Sequence, residues 1–155
     1  MSTVVSTAHD LLALVGQDLG ETEWVPVDQE SIDVFARVTR DEQWIHVDPV
    51  RAADGPFGTT IAHGFFTLSL CSHFFDELLV VGDTAMVVNY GLDRVRFPSP
   101  LSVGARIRAG GTLIRVDERG GPVQTVTRIT IEADASTKPV CVAELVSRFY
   151  PAEAS

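Results

Sequence analysis

Residues 61–79 of the chain read IAHGFFTLSLCSHFFDELL, and this stretch decides the fold. At helical spacing its large apolar residues lie on nearly every side: Phe65, Phe66, Leu68, Leu70, Phe74, Phe75, Leu78 and Leu79. A helix that is apolar all round must be enclosed by the rest of the protein. Polar residues interrupt the stretch, which is also shorter than the roughly 20 apolar residues that span a bilayer. We therefore predict a long central helix inside a globular domain, with no membrane partner.

Four strands are predicted after this helix: residues 86–97, 104–116, 122–133 and 140–150. The last three alternate apolar and polar residues, as Ile107 and Ala109 do against Arg106 and Arg108. Such alternation indicates a sheet with one covered face and one wet face. The economical arrangement is an antiparallel sheet that curls around the central helix, which is an α+β fold.

The part of the chain before the central helix contains four further predicted segments: a short helix at 5–16, a strand at 23–27, a helix at 29–39 and a loop at 47–60. In the second helix Ile32, Phe35 and Ala36 share one face, and Asp28 stands at the N-cap position. A chain of 155 residues has the usual length of one domain. We therefore expect residues 1–155 to form a single domain.

The composition limits the kinds of binding partner and the cell compartment that we expect for this protein. The net charge of −9 argues against a nucleic-acid partner, because such a protein needs a basic face. Cys71 and Cys141 stand alone in the sequence, without a CxxC pattern. The N-terminal apolar stretch around Leu11 lacks the basic flank of a signal peptide. Together these features predict reduced core thiols in a cytoplasmic protein.

Residues 41–64 carry the candidate chemistry. Asp41 and His46 are five residues apart in DEQWIHVD, and after a loop rich in Gly and Pro the pair His63-Gly64 opens the central helix. A carboxylate and an imidazole can move protons to and from water, and N–H groups at a helix start can hold developing negative charge. These are the parts that addition of water to an activated double bond needs. Either side chain alone would more often be structural, and their combination with the helix start favours catalysis.

The same residues resemble a known family. Asp41-x4-His46 with Ile61-Ala62-His63-Gly64-Phe65, and the later segments 89–92 and 94–98, look like the MaoC-like dehydratases, the hydratase 2 or (R)-specific enoyl-CoA hydratases. The single-domain branch that includes nodulation protein N and actinobacterial hydratases is most similar. Many members have Gly-Asp-x-Asn-Pro-x-His where this chain has Arg40-Asp41 and later Trp44-Ile45-His46, so proline cannot fix this loop.

The resemblance implies a hotdog fold, in which a curved antiparallel sheet wraps around a long central helix. It also implies reversible syn addition of water to a trans-2-enoyl-CoA, giving an (R)-3-hydroxyacyl-CoA, as in fatty acid metabolism. Coenzyme A then enters only as part of the acyl-CoA substrate, with no metal and no redox cofactor. Members of the family are usually homodimers that bind acyl-CoA near the subunit interface.

The resemblance assigns roles to individual residues. Asp41 and His46 would hold the reacting water, and which of them is the base stays open because a coupled pair titrates as a unit. Gly64 would donate its N–H to the thioester oxygen and leave room for the thioester. His63 is a further candidate substrate contact, although a hydrogen bond near the helix start would explain it equally simply.

Two arginines are candidate contacts for the phosphates of coenzyme A. Arg94 and Arg96 share a face of the first predicted strand with apolar residues, which indicates a bulge, a strong twist or an exposed strand end. A solvated arginine pair explains the same pattern. Asp48 is expected to order the loop or to cap a following turn.

Two other functions stay open at this point. A hotdog thioesterase usually has a carboxylate on or near the central helix, and the first helix-facing acid after Gly64, Asp76, lies far down the helix, which disfavours this function. A non-catalytic subunit that binds an acyl thioester is the second. The length of the acyl chain and the choice between coenzyme A and acyl-carrier protein cannot be read from these residues.

Overall fold

The structure is a computed structural model that describes residues 1–153, and four long antiparallel strands make up most of its sheet. The strands are β1 (Thr3–Val5), β2 (Asp18–Glu21), β3 (Val25–Pro26), β4 (Leu79–Val81), β5 (Thr84–Arg96), β6 (Arg106–Asp117), β7 (Val123–Ala133) and β8 (Cys141–Pro151), of which β5 to β8 are the long ones. The helices are α1 (Gln29–Thr39), α2 (Trp44–Val47), α3 (Pro49–Ala53), α4 (Gly64–Ser69) and α5 (Cys71–Leu78), and a 3₁₀ helix covers Ala8–Leu14.

The main sheet has the strand order β2-β6-β7-β8-β5, and β3 also pairs with β6. Its long strands are antiparallel, and in their register Ile129 of β7 lies opposite Gly111 of β6 and Ala143 of β8. A small second sheet joins β1 and β4 in parallel. Strand β5 therefore lies at one edge of the main sheet, where β8 is its partner, and three register shifts interrupt that pairing.

The predicted alternation places one face of the sheet against α5, as expected. Ile107 and Ala109 are fully buried, whereas Arg106 and Arg108, which alternate with them, are not. The ring of Phe75 on α5 packs edge-on against Phe149, with 6.2 Å between centroids. The sheet therefore wraps around α5, and the predicted α+β hotdog architecture is confirmed.

The central helix differs from its prediction in two respects. It begins at Gly64, because Ile61 and Ala62 instead pair with the segment at 101–102 through an isolated bridge and a backbone hydrogen bond. At Leu70, which caps both pieces, the helix divides into α4 and α5. Neither piece is enclosed on every side: His73 on α5 is exposed, and Phe65 on α4 is 70% exposed, so the expectation of burial on every side is wrong.

The N-terminal half is more structured than predicted. Helix α1 spans the predicted residues, and the carboxylate of Asp28 accepts a hydrogen bond from the N–H of Ser31 as its N-cap. The predicted loop at 47–60 contains α3, which Asp48 caps and Pro49 opens. The predicted helix at 5–16 is a shorter 3₁₀ helix that follows β1. In the described part of the chain no helix is long and apolar enough to cross a membrane.

Candidate active site

The candidate acid lies directly after a sharp reversal of the chain. Helix α1 ends at Thr39, and Arg40 takes the left-handed conformation, with φ of 62° and ψ of 23°. This is the conformation that a glycine adopts most easily at a helix end. It turns the chain so that Asp41, which is exposed, lies beside His63 at the start of α4.

The candidate base is buried and held in one orientation. His46 is 7% exposed, and its Nδ1 lies 2.7 Å from the carbonyl oxygen of Ile61. Because a carbonyl oxygen only accepts, Nδ1 carries the proton and donates it in this hydrogen bond. In the neutral ring Nε2 is then the free acceptor, which is the form needed to take a proton from water.

Gln29 fixes the backbone around this histidine, a role that the sequence did not reveal. Its side-chain amide donates to the carbonyl oxygen of His46 at 2.7 Å, and its Oε1 accepts from the hydroxyl of Thr60 at 2.5 Å. One side chain of α1 thus joins the two segments that carry His46 and Ile61. Nothing in the local pattern of α1 marks Gln29, because both contacts are long-range.

The environment of His46 favours its neutral form. Burial lowers the pKa of His46 below its ordinary value of about 6.5, and the neighbouring His63 lowers this pKa further. The hydrogen bond to Ile61 and the charge of Asp41 act in the opposite direction on the pKa. The net shift keeps His46 ready to accept a proton at neutral pH.

His63 contacts both Asp41 and His46. Its Nε2 lies 2.8 Å from the backbone carbonyl oxygen of Asp41, to which it donates. Its ring stacks on the ring of His46, with 3.8 Å between centroids and 24° between planes. The ring of Phe35, which the sequence placed on the apolar face of α1, lies 5.0 Å from the His63 ring between centroids. His63 is 2% exposed, so these contacts fix it firmly.

The three side chains form one compact cluster. A nitrogen of each histidine and an oxygen of Asp41 all lie within 4.8 Å of one another. That spacing would also suit a metal ion, but the geometry fits one poorly. A metal ion lies close to the plane of each imidazole that binds it, and the stacked rings of His46 and His63 direct their lone pairs into separate planes.

The start of α4 lies directly after His63 of the cluster. Gly64 supplies the first N–H of α4, and first-turn N–H groups have no acceptor within their own helix. A Cβ on Gly64 would lie 3.0 Å from the Phe97 ring, so the missing side chain accommodates Phe97 rather than open space. Both residues border a crevice of about 320 Å³ that Phe57 and Ile61 also line.

The remaining candidates lie outside this cluster. Arg94 and Arg96 are exposed on β5, among the bulges that the sequence pattern indicated, and Arg96 donates to the carbonyl of Val95. They stay predicted contacts for coenzyme A. Trp44 packs against the Arg51 guanidinium, whose central carbon lies 4.3 Å from the centroid of the Trp44 ring.

Comparison with known proteins agrees with this architecture. The MaoC like domain family matches residues 10–135. The chain is 48% identical over 150 residues to the 3-hydroxyacyl-thioester dehydratase Z of Mycobacterium tuberculosis (strain ATCC 25618 / H37Rv), covering 96% of this chain and 99% of that protein. It is 44% identical over 141 residues to nodulation protein N of Rhizobium leguminosarum bv. viciae, covering 89% and 88% of the two chains.

A solved structure shares the fold. The (R)-hydratase from A. caviae involved in PHA biosynthesis superposes with a TM-score of 0.70 at 21% identity, covering 86% of this chain and 94% of that one. The chain therefore belongs to the MaoC-like dehydratase family and has its hotdog fold. It is an enzyme of the hydro-lyase class.

Proposed function

We propose that the protein is an (R)-specific enoyl-CoA hydratase, which reversibly adds water to a trans-2-enoyl-CoA and forms an (R)-3-hydroxyacyl-CoA. One observation carries the proposal. His46 is buried, and its Nδ1–H is held by the carbonyl oxygen of Ile61, which leaves Nε2 as the acceptor. A nitrogen of the same ring lies within 4.8 Å of a carboxylate oxygen of Asp41. The similarity to a 3-hydroxyacyl-thioester dehydratase supports the same chemistry.

In the proposed mechanism Asp41 and His46 hold one water between them. As the water oxygen bonds to C3 of the enoyl group, one O–H bond breaks and the pair receives that proton. The C2=C3 electrons move toward the thioester, whose oxygen becomes negative, and C2 then takes a proton from the pair. Because one pair directs both the hydroxyl to C3 and the proton to C2, the two groups add to the same face of the double bond, which is syn addition.

The developing oxyanion is assigned to the N–H of Gly64. This group opens α4, near His63, at the border of the crevice under Phe97. Loss of one such donor costs roughly 100- to 1,000-fold in rate. Arg94 and Arg96 are proposed to meet the phosphates of coenzyme A, which matches their exposure on β5.

Hydration of trans-2-enoyl-CoA thioesters of increasing chain length tests the proposal. Wild type should remove the conjugated-enoyl absorbance and produce a 3-hydroxyacyl-CoA that only an (R)-specific dehydrogenase oxidises. Asp41→Asn should lower the rate at least 100-fold with an unchanged melting temperature, since proton transfer contributes about 10²–10⁴-fold. An (S) product would refute the stereochemistry, and release of free thiol without hydration would favour the thioesterase.

We propose that this reaction needs no metal and no redox cofactor, because the side chains of Asp41 and His46 can move both protons. Treatment with a chelator followed by gel filtration should leave the hydration rate unchanged. A rate that falls after chelation and returns with added Zn²⁺ would contradict this.

We also propose a homodimer built on β5. This strand is an edge of the main sheet, and it exposes a row of large apolar residues: Met86, Val87, Val88, Tyr90 and Leu92. An uncovered edge of 13 residues invites pairing with another strand, and a two-fold axis would bring two copies of β5 together. Sedimentation should show a dimer that Val88→Glu dissociates, whereas Val38→Glu on α1 leaves it intact; a monomeric wild type would refute it.

A cytoplasmic location is proposed as well. Cys71 and Cys141 are both buried and free, which is the usual state of cysteines in a reducing compartment. Recovery of the protein in the soluble fraction of its cell, with both thiols reactive only after unfolding, would agree. Recovery outside the cell would contradict it.

A further inference from the structure

One nitrogen in the cluster has no role in the mechanism as described so far. His63 is 98% buried, yet its Nδ1 has no hydrogen-bond partner among the residues that the structure describes. Buried polar atoms are nearly always paired, so an unpaired one calls for an explanation. Here the unpaired atom belongs to a ring that shares a cluster with Asp41 and His46.

The chemical state of this nitrogen follows from its neighbour. Nε2 of His63 donates to the carbonyl oxygen of Asp41 at 2.8 Å, and a carbonyl oxygen only accepts. In a neutral ring Nδ1 therefore carries a lone pair and no hydrogen. Packing against His46 and Phe35 keeps the ring from turning, so this lone pair points in a fixed direction. The site thus presents a buried acceptor that needs a donor.

The proposed reaction supplies such a donor. The attacking water has two O–H bonds, and only one of them breaks; the other becomes the 3-hydroxyl of the product. In a buried site the surviving O–H needs an acceptor of its own, in addition to the pair that takes the proton. One group of the Asp41–His46 pair takes the departing proton, and Nδ1 of His63 is an unpaired acceptor on a ring of the same cluster that suits the retained one.

We propose that His63 is a third catalytic residue, whose Nδ1 accepts a hydrogen bond from the O–H that the reacting water keeps. This inference rests on the proposed hydratase function and deepens it. The same side chain has two tasks on its two nitrogens: Nε2–H fixes the backbone of Asp41, and Nδ1 orients the water and then the product hydroxyl. The sequence alone left open whether His63 contacts substrate or makes a structural hydrogen bond near the helix start.

Two conservative variants separate these tasks. The amide of glutamine reaches about as far as Nε2 of histidine, so His63→Gln keeps the donor to Asp41 and loses the acceptor at Nδ1. The amide of asparagine lies near the position of Nδ1, so His63→Asn keeps an acceptor there and loses the donor. A purely structural role for His63 predicts that glutamine is the better replacement, whereas the proposed role predicts that asparagine keeps more activity.

The test measures kcat and KM for enoyl-CoA hydration, the melting temperature, and inhibition by a saturated acyl-CoA, which lacks the 3-hydroxyl. We expect His63→Gln to lose about 100-fold in kcat, the lower end of the range for a catalytic proton-handling group. Its melting temperature and its inhibition constant for the saturated acyl-CoA should stay near wild type. His63→Asn should be less stable and yet turn over faster than His63→Gln.

The results also separate this inference from the hydratase proposal. If wild type is active and His63→Gln turns over at the same rate, the acceptor role is wrong and the hydratase proposal stands. If His63→Gln weakens binding of the saturated acyl-CoA and lowers stability as much as it lowers kcat, His63 is only structural. A wild type that hydrates no enoyl thioester contradicts both proposals.

Discussion

The contact between Gly64 and Phe97 makes the geometry of the helix start testable. In Gly64→Ala the new Cβ would lie 3.0, 3.1 and 3.2 Å from three carbons of the Phe97 ring, whereas ordinary contacts begin at 3.4 Å. Alanine is the better helix former, so helix propensity alone would make this substitution stabilising. Any loss of stability must therefore come from the contact with the Phe97 ring, which has to move back by a few tenths of an ångström.

The size of the effect follows from how freely the ring can move. Phe97 is 44% exposed, but the preceding residue, Arg96, is paired with Val142, so the backbone at the end of β5 is anchored. Overpacking costs about 1–3 kcal/mol, and partial exposure puts this case near 1 kcal/mol. A displaced helix start also moves the N–H of Gly64, and because a 1 Å misplacement can cost about 100-fold, we expect a rate loss of roughly tenfold.

A double-mutant cycle identifies the cause. Urea unfolding and kcat/KM for enoyl-CoA hydration are measured for wild type, Gly64→Ala, Phe97→Ala and the double variant. Without the ring, Gly64→Ala should cost less than about twofold in rate and less than about 0.5 kcal/mol in stability, because contacting residues are coupled. An equal penalty for Gly64→Ala with and without Phe97 would refute the reasoning.

Three further outcomes follow from particular residues. Gly111→Ala would put a Cβ 2.9 Å from Leu78, so it should lower stability by about 1–3 kcal/mol, whereas Gly110→Ala, with its nearest contact at 3.6 Å, should not; equal melting temperatures would contradict this. Arg40→Gly should raise the melting temperature, because it relieves a left-handed arginine, whereas Arg37→Gly inside α1 should cost about 1 kcal/mol in urea unfolding. Because the pKa of His46 is lowered, the acid limb of kcat/KM should lie below pH 6.5; a limb above 6.5 would refute the assignment. Because the pKa of His46 is lower in the folded protein than in the unfolded chain, the unfolded chain takes up a proton on His46 at a higher pH than the folded protein does. The stability contributed by His46 is therefore complete above about pH 6.5 and falls as the pH drops toward the folded pKa.

The sequence predicts those parts of the fold whose causes are local. Helix α1 has its predicted bounds because an apolar stripe and the cap at Asp28 both lie within the segment. The start of the central helix was placed too early, since the pairing of Ala62 with Leu101 spans 39 residues and leaves no local mark. Helix α3 was missed although Asp48 and Pro49 are ordinary helix-start residues, because the Gly and Pro residues that follow are typical of a loop.

The candidate site also contains residues that the local sequence predicts and residues that it does not. The spacing of Asp41 and His46 predicts their pairing, and the structure brings both into one cluster. Gln29 donates to the backbone of His46 and Phe35 packs against His63; both lie on α1, and their roles depend on contacts across the fold. His63 lies between these cases, because its position at the helix start was evident and its unpaired nitrogen was not.

The central claim is that His46 performs proton transfer in a hydratase. The most direct measurement is crotonyl-CoA hydration, followed at the enoyl-thioester absorbance, for wild type, His46→Ala and the control His73→Ala. His73 is exposed on α5, where it pairs with Glu77, away from the cluster. Wild type and His73→Ala should hydrate crotonyl-CoA, and folded His46→Ala should lose at least 100-fold in rate. Full activity of His46→Ala would contradict the central claim.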